Sequence, residues 1–253
     1  MSELEDRFWS ALPLGRGVAL LACDSNGVAA FAKPSGILSH PNKPGDEPRS
    51  LLNAPYVLDG EFYKLEPGSA DIAGRRLWLL NRLDSATSGV ILAVSDEALA
   101  AVIRAQFKRK RVHKAYLALV FGKPPKESDI WRDRLSIEKR GGMIRTSAGA
   151  IPAESRMKVV RTGPSPDQVS LIRLEPMTGR SHQLRVQCAR RGLPIVGDQT
   201  YGDFARNREW AKRTGAKRMF LHSLETHFDY EFGGRTHAFA AQAPVPSEFE
   251  LFI

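Results

Sequence analysis

Short β-rich apolar runs joined by tight-turn signals constrain this chain more than anything else in it. Residues 18–23 and 28–32 flank Asp24-Ser25-Asn26-Gly27, and residues 227–232 and 235–240 flank Gly233-Gly234. Each pair reads as a β-hairpin, because these turn residues tolerate the left-handed backbone that a tight reversal needs. Residues 112–121 and 169–174 add two further strands. Helical stripes fall between them. Ser95 is placed to cap a helix whose first turn holds Asp96 and Glu97 and whose apolar stripe is Leu99, Val102, Ile103 and Phe107. A second, short helix over 181–191 is stopped by Gly192, with Pro194 beyond. It turns Leu184 and Cys188 inward and sets Arg185 to the side. Hairpins with helices between them predict an α+β fold built on a mixed, largely antiparallel central sheet with flanking helices, not a doubly wound parallel sheet. Two stretches, 41–75 and 123–150, are polar and bear glycines; they read as loops, the first with brief structure at 50–53.

The chemistry gathers in a polar break between two buried runs. Leu77-Trp78-Leu79-Leu80 leads in and Val90-Ile91-Leu92-Ala93-Val94 resumes, with Asn81-Arg82-Leu83-Asp84-Ser85-Ala86-Thr87-Ser88-Gly89 between them. A backbone held at both ends can aim one side chain into a cleft. If the break is extended, Arg82 and Asp84 project from the same face, and the guanidinium keeps the carboxylate ionised and able to act as a nucleophile. An ordinary surface ion pair is the other reading of these two residues. The Asp-x-x-Thr spacing also occurs in phosphoaspartyl enzymes, but Ser85-Ala86 supplies neither the second acid nor the Lys-Thr-Gly continuation such enzymes need.

With 253 residues the chain can bury a substantial core, and its formal net charge of +9 favours a polyanionic partner. Basic residues crowd at Lys108-Arg109-Lys110-Arg111, at Arg190-Arg191 and between Arg206 and Arg218, with Glu209 alone opposing them. Two cysteines without Cys-x-x-Cys spacing and six histidines without a paired spacing predict neither a disulfide framework nor a metal site. An acidic start with no long apolar run argues against a signal peptide or membrane anchor and predicts a cytoplasmic protein.

Glu175-Pro176-Met177-Thr178-Gly179-Arg180-Ser181-His182-Gln183-Leu184-Arg185-Val186, followed by Gly192-Leu193-Pro194-Ile195-Val196-Gly197-Asp198, completes a pattern with the Arg82–Gly89 run. Together they resemble the RluA family of RNA pseudouridine synthases, whose runs read H-R-L-D-x-x-T-S-G and G-R-[ST]-H-Q-[LI]-R-V-H. Lys33-Pro34-Ser35-Gly36, Lys114-Ala115-Tyr116-Leu117-Ala118, Leu221-His222-Ser223 and the closing Phe239-Ala240-Ala241-Gln242-Ala243-Pro244 fall in the order the family has. The resemblance spans residues 18–246. It departs at Asn81 and at Gln187, where the family usually has histidine.

The resemblance implies that residues 18–253 form a catalytic domain of two lobes around one cleft, after a short lead over 1–17 too brief to be an RNA-binding domain. It implies that specific uridines of ribosomal or transfer RNA are isomerised without cofactor or metal. Asp84 matches the nucleophile, Tyr116 the active-site tyrosine and Arg185 the arginine that pairs with the catalytic carboxylate. Arg82 matches the residue that fills the gap left by the flipped uridine, with Lys108, Arg109, Lys110, Arg111 and Arg180 as further RNA contacts. RNA is the implied partner, with no membrane and no obligate protein. A catalytically inactive RNA-binding protein on the same fold is the alternative. A glycoside hydrolase would need a second carboxylate across a cleft, and none stands out.

Overall fold

The computed structural model describes residues 3–65, 72–140, 143–163 and 168–249. The architecture is α+β, with largely antiparallel strands and few helices. In chain order the elements are α1 (Glu3–Ser10), β1 (Ala19–Cys23), β2 (Val28–Lys33), β3 (Tyr56–Val57), β4 (Phe62–Lys64), β5 (Arg76–Leu79), β6 (Ser88–Val94) and α2 (Glu97–Lys108). They continue as β7 (His113–Phe121), β8 (Ser128–Arg140), β9 (Met143–Ala148), β10 (Ile151–Thr162), β11 (Val169–Pro176), α3 (Gln183–Arg190), α4 (Phe204–Thr214), β12 (Leu221–Phe232) and β13 (Arg235–Gln242). The chain forms two compact units, one of residues 1–113 with 225–243 and the other of residues 114–224 with 244–253.

In the first unit β6 is the buried spine. It pairs antiparallel with β2 (Val28↔Val94 to Lys33↔Gly89) and with β5 (Trp78↔Val94, Leu79↔Ala93). Val90, Ile91, Leu92, Ala93 and Val94 are all fully buried, as an uninterrupted apolar run on a strand covered on both faces requires. Truncating Ile91 to Ala would cost about 2–5 kcal/mol on the usual scale for a close-packed core. One face packs with Leu99 and Ile103 of α2 and with Phe228 and Phe239; the other packs with Phe31, Leu77, Phe8 and Trp9. The N-terminal lead is therefore core: α1 and Leu12 are built into this unit. Both predicted hairpins form, β1–β2 and β12–β13, and the second turns on Gly233 and Gly234 at φ +58° and +73°. Two consecutive positive φ values are what a two-residue primed turn demands. The helix cap falls one residue later than expected: Asp96, not Ser95, accepts the Leu99 N–H at 2.8 Å.

In the second unit the strands run in the order β7-β11-β10-β8-β9, each pair antiparallel. This corrects the reading of 123–150 as a loop. β8 is heavily charged, but Trp131 and Leu135 alternate inward between Arg132 and Arg134, and two inward residues suffice for a strand whose other face meets water. The 41–75 stretch likewise holds β3 and β4; its residues 66–71 lie outside the described residues.

Candidate active site

Residues 81–87 form a fixed turn between β5 and β6. Its entry is set by Asn81, whose Oδ1 accepts the Leu92 N–H at 2.7 Å. The residue that departs from the family pattern is thus occupied in tying the turn to β6. Leu83 is buried and held on both sides by Ser39, whose Oγ accepts the Leu83 N–H at 2.9 Å and donates to the Leu83 carbonyl at 2.7 Å. Ser35 Oγ donates to the Ala86 carbonyl at 2.8 Å, and Gly36 N–H to the Ser85 carbonyl at 2.7 Å. Asp84 stands half-buried among these anchors, its carbonyl accepting the Thr87 N–H at 3.0 Å.

Lys33 completes the clamp. It is 1% exposed, and its Nζ donates to the carbonyls of Pro34 (3.0 Å), Ile37 (2.6 Å) and Ser85 (3.1 Å). An ammonium has three donors, and here they bind the 34–37 segment to the residue after Asp84. Lys33 is therefore a positioning residue for this turn. Lys33→Met keeps the stem but takes the ammonium donor from the Pro34 and Ile37 carbonyls, while the Ser85 carbonyl keeps the Gly36 N–H, so we expect a stability loss of about 1–3 kcal/mol. Amide hydrogen exchange at Gly36 should accelerate before exchange in β6 does; uniform acceleration in both would show a general core defect instead.

Arg82 is exposed and pairs with Glu61 Oε1 at 3.5 Å, while Arg104 Nη2 reaches Glu61 Oε2 at 3.3 Å and the Leu79 carbonyl at 2.9 Å. Residues 81–84 carry no strand ladder, and the Arg82 guanidinium has a carboxylate partner in Glu61. Lys108, Arg109, Lys110 and Arg111 lie exposed at the end of α2 and beyond it. Lys110 adopts φ +59° as the chain leaves the helix.

In the second unit Tyr116 is half-buried on β7, opposite Leu174 of β11. Lys114 lies two residues earlier on the same strand face, and burial lowers the pKa of its ammonium. Arg185 sits in the first turn of α3. The helix begins after His182, held in the left-handed region at φ +53°, a conformation that a non-glycine residue adopts only when its surroundings enforce it. His182 Nδ1 is hydrogen-bonded to the Tyr201 hydroxyl at 2.8 Å, and that hydroxyl accepts the Thr146 N–H, also at 2.8 Å.

Arg185 is buried, contrary to its expected place at the side of the helix. Asp198 is the reason. Its two oxygens receive Arg185 Nε and Nη2, each at 2.7 Å, and Oδ1 also accepts the N–H groups of Thr200 and Tyr201. The Tyr201 ring lies beneath the guanidinium, 5.0 Å from its centre. Burial pushes the Asp198 carboxyl up, yet the hydrogen bonds and charge of Arg185, with the two backbone donors, together hold it below the usual carboxylate value. Gly197, just before Asp198, lets the chain pass close to the Arg218 backbone: its φ is +78°, and a Cβ there would lie 1.9 Å from the Arg218 carbonyl oxygen. Asp198 stood in the sequence pattern with no role assigned, because its partner is thirteen residues away. Gln187 is also structural. Its Oε1 accepts from Ser155 Oγ (2.7 Å), and its Nε2 donates to the Trp131 carbonyl (3.2 Å) and Asp133 Oδ2 (3.0 Å). Arg180 is exposed, its Nε donating to the Pro152 carbonyl at 3.3 Å. Among the described residues no three His, Cys, Asp or Glu side chains converge as a metal site, and no helix is long and apolar enough to cross a membrane.

Residues 27–190, which hold all these groups except the Asp198 segment, match the family described as RNA pseudouridylate synthase. The chain belongs to that family, in agreement with its RluA-type motifs. It is 33% identical over 156 residues to the ribosomal large subunit pseudouridine synthase C of Vibrio vulnificus, a match covering 62% of this chain and 48% of that protein. With the tRNA pseudouridine synthase C of Haemophilus ducreyi it shares 32% identity over 212 residues, covering 80% of this chain and 82% of the other. The chain spans about half the length of the ribosomal large-subunit relatives it matches, at 48–55% of each. In fold it is similar to human RNA pseudouridylate synthase domain containing 1, with TM-score 0.66 and 22% identity over 92% of this chain and 86% of that one. A second human protein, domain containing 4, gives TM-score 0.65 at 21% identity, covering 97% and 94%.

Proposed function

We propose that this chain is an RNA pseudouridine synthase that isomerises specific uridines of ribosomal or transfer RNA, with Asp84 as nucleophile. The observation that carries the reading is the turn around Asp84. Its neighbours Leu83, Ser85 and Ala86 are fixed by five hydrogen bonds while Asp84 itself is only half-buried. A nucleophile needs that combination, because a frame fixed before the substrate arrives avoids the entropy of ordering it during reaction.

In the proposed reaction the uridine is flipped out of the RNA, and Asp84 forms a covalent bond to the base or the ribose as the N-glycosidic bond breaks. The freed base turns and rejoins the ribose through C5. Asp84 is released as its carboxylate when the C5–ribose bond forms or when its adduct with the base reverses. The C5 proton then leaves and N1 takes up a proton in its place, so atoms and electrons balance with no cofactor. Tyr116 supplies a ring for the base to stack on and a hydroxyl for the proton transfer. Arg185, held by Asp198, is assigned to orient the nucleophile, and Arg82 to fill the vacancy in the RNA. Lys108, Arg109, Lys110, Arg111 and Arg180 are assigned to phosphates. A cytoplasmic location fits such a substrate. The names of the relatives support both RNA classes, and the presence of Asp84, Tyr116 and Arg185 disfavours an inactive binding protein.

The test is tritium release from C5-labelled uridine in bulk ribosomal and transfer RNA. The expected result is stoichiometric release from one of the two pools, with pseudouridine recovered from it. Tight binding to both pools with no release would favour the inactive reading.

A further inference from the structure

Helix α4 and the segment after it present a surface that the reaction above does not use. Phe204, Arg208 and Lys212 are spaced four apart, so they form one ridge along the helix. All three are exposed, and at 51% exposure Phe204 is the most open aromatic side chain among the described residues. Beside the ridge lies a cleft of about 400 Å³, lined by Phe204, Trp210 and Ala211 with Gln199, Arg208 and Lys217.

The other cations of this region are engaged. The Arg206 guanidinium lies 4.2 Å from the Phe121 ring centre, Arg213 lies over Trp210, and Arg218 pairs with Glu248 at 3.7 Å. Among the described residues no ion pair engages Arg208, Lys212 or Lys217. The floor of the cleft is fixed by Asn207, whose Oδ1 accepts the Gly197 N–H at 2.8 Å and whose Nδ2 donates to the Asp198 carbonyl at 2.9 Å.

We propose that this cleft docks an unpaired nucleotide of the RNA, its base stacked on Phe204 and its phosphates on Arg208 and Lys217. The choice of occupant follows from the chemistry of the ridge. Solvated charge alone gives no reason to expose a phenyl ring among three cations, since leaving that ring in water forfeits its burial free energy. A flat π-face flanked by phosphates satisfies both features at once. Aromatic stacking with a basic track is how single strands are held without sequence preference. The volume falls within the usual range for small-molecule sites, about 300–1,000 Å³. The inference rests on the synthase reading for the nature of the polymer, but not for the location of the cleft.

A fluorescein-labelled oligo(A) of eight nucleotides, which contains no uridine to be modified, is the probe. Its binding to the full chain is followed by anisotropy over a salt series. Arg208→Glu with Lys217→Glu should weaken binding about tenfold or more at low salt. The double variant should also flatten the log–log salt slope by about 1.4, the share of two single-strand phosphate contacts. Phe204→Ala should weaken binding about fivefold or more and leave the slope unchanged, because it removes stacking and not charge. The three positions are exposed, so melting temperatures should stay near that of the unmodified chain.

Unchanged affinity in both variants overturns the proposal, as does failure of the unmodified chain to bind oligo(A). Equal displacement by a poly-glutamate peptide also overturns it, since that would leave a site for charge and not for a nucleotide. Tritium release from bulk RNA is read separately. If it is absent while the variants lose oligo(A), the synthase reading falls and the cleft stands.

Discussion

Asp84→Asn is expected to abolish tritium release, by on the order of 10⁴-fold or more, while RNA affinity changes less than about twofold. An amide has the size and shape of the carboxylate but lacks its negative charge, so it cannot form and later release the covalent bond. The frame should survive the change. Its anchors are the backbone groups of Leu83, Ser85 and Ala86, held by Ser39, Lys33, Gly36 and Ser35. A melting temperature equal to that of the unmodified chain would confirm that only chemistry was removed. Turnover by Asp84→Asn comparable to the unmodified chain would end the assignment of this residue as nucleophile.

The hairpins and the buried β6 spine are visible in the sequence because each is specified locally. Asp24-Ser25-Asn26-Gly27 and Gly233-Gly234 can do little except turn, and five consecutive apolar residues at 90–94 have nowhere to go but inside. β8 and β10 were hidden for the opposite reason. Their outward faces carry Arg132, Arg134, Arg156 and Lys158, so composition resembles a loop, and only the pairing of Glu154 with Arg132 and Ser155 with Trp131 reveals the sheet. The site divides the same way. Asp84, Tyr116 and Arg185 stand in recognisable motifs. Lys33 acts on backbone carbonyls, which leave no trace in side-chain identity, and the burial of Arg185 depends on a carboxylate that arrives only after the chain has left α3. Asn81 and Gln187 look like departures that endanger the site; in the fold Asn81 holds the Leu92 N–H and Gln187 binds Ser155, Trp131 and Asp133, so each has a structural task in its own neighbourhood.

Asp198→Ala should produce the largest loss of stability among single substitutions at the site. Arg185 and Asp198 are 7% and 1% exposed, so removing the carboxylate leaves a buried guanidinium without its bidentate partner. Breaking such a pair costs about 3–5 kcal/mol, several times a surface ion pair, because the remaining charge stays desolvated. For a chain of this size that corresponds to a fall of roughly 10 °C in melting temperature. Arg185→Met with Asp198→Ala removes both charges and should recover part of the loss, which a double-mutant cycle would measure. The pH dependence has a defined sign. Asp198 is held below its unfolded value, so its contribution is fully present above about pH 4 and is lost as pH falls through the folded pKa. The single variant should therefore be destabilised equally at pH 8 and pH 6, and should lose less stability than the unmodified chain on further acidification below pH 4. Full stability of Asp198→Ala at pH 7 would mean that another group holds Arg185 in place. The assignment of Asp198 as its clamp would then fail, whatever the outcome at Asp84.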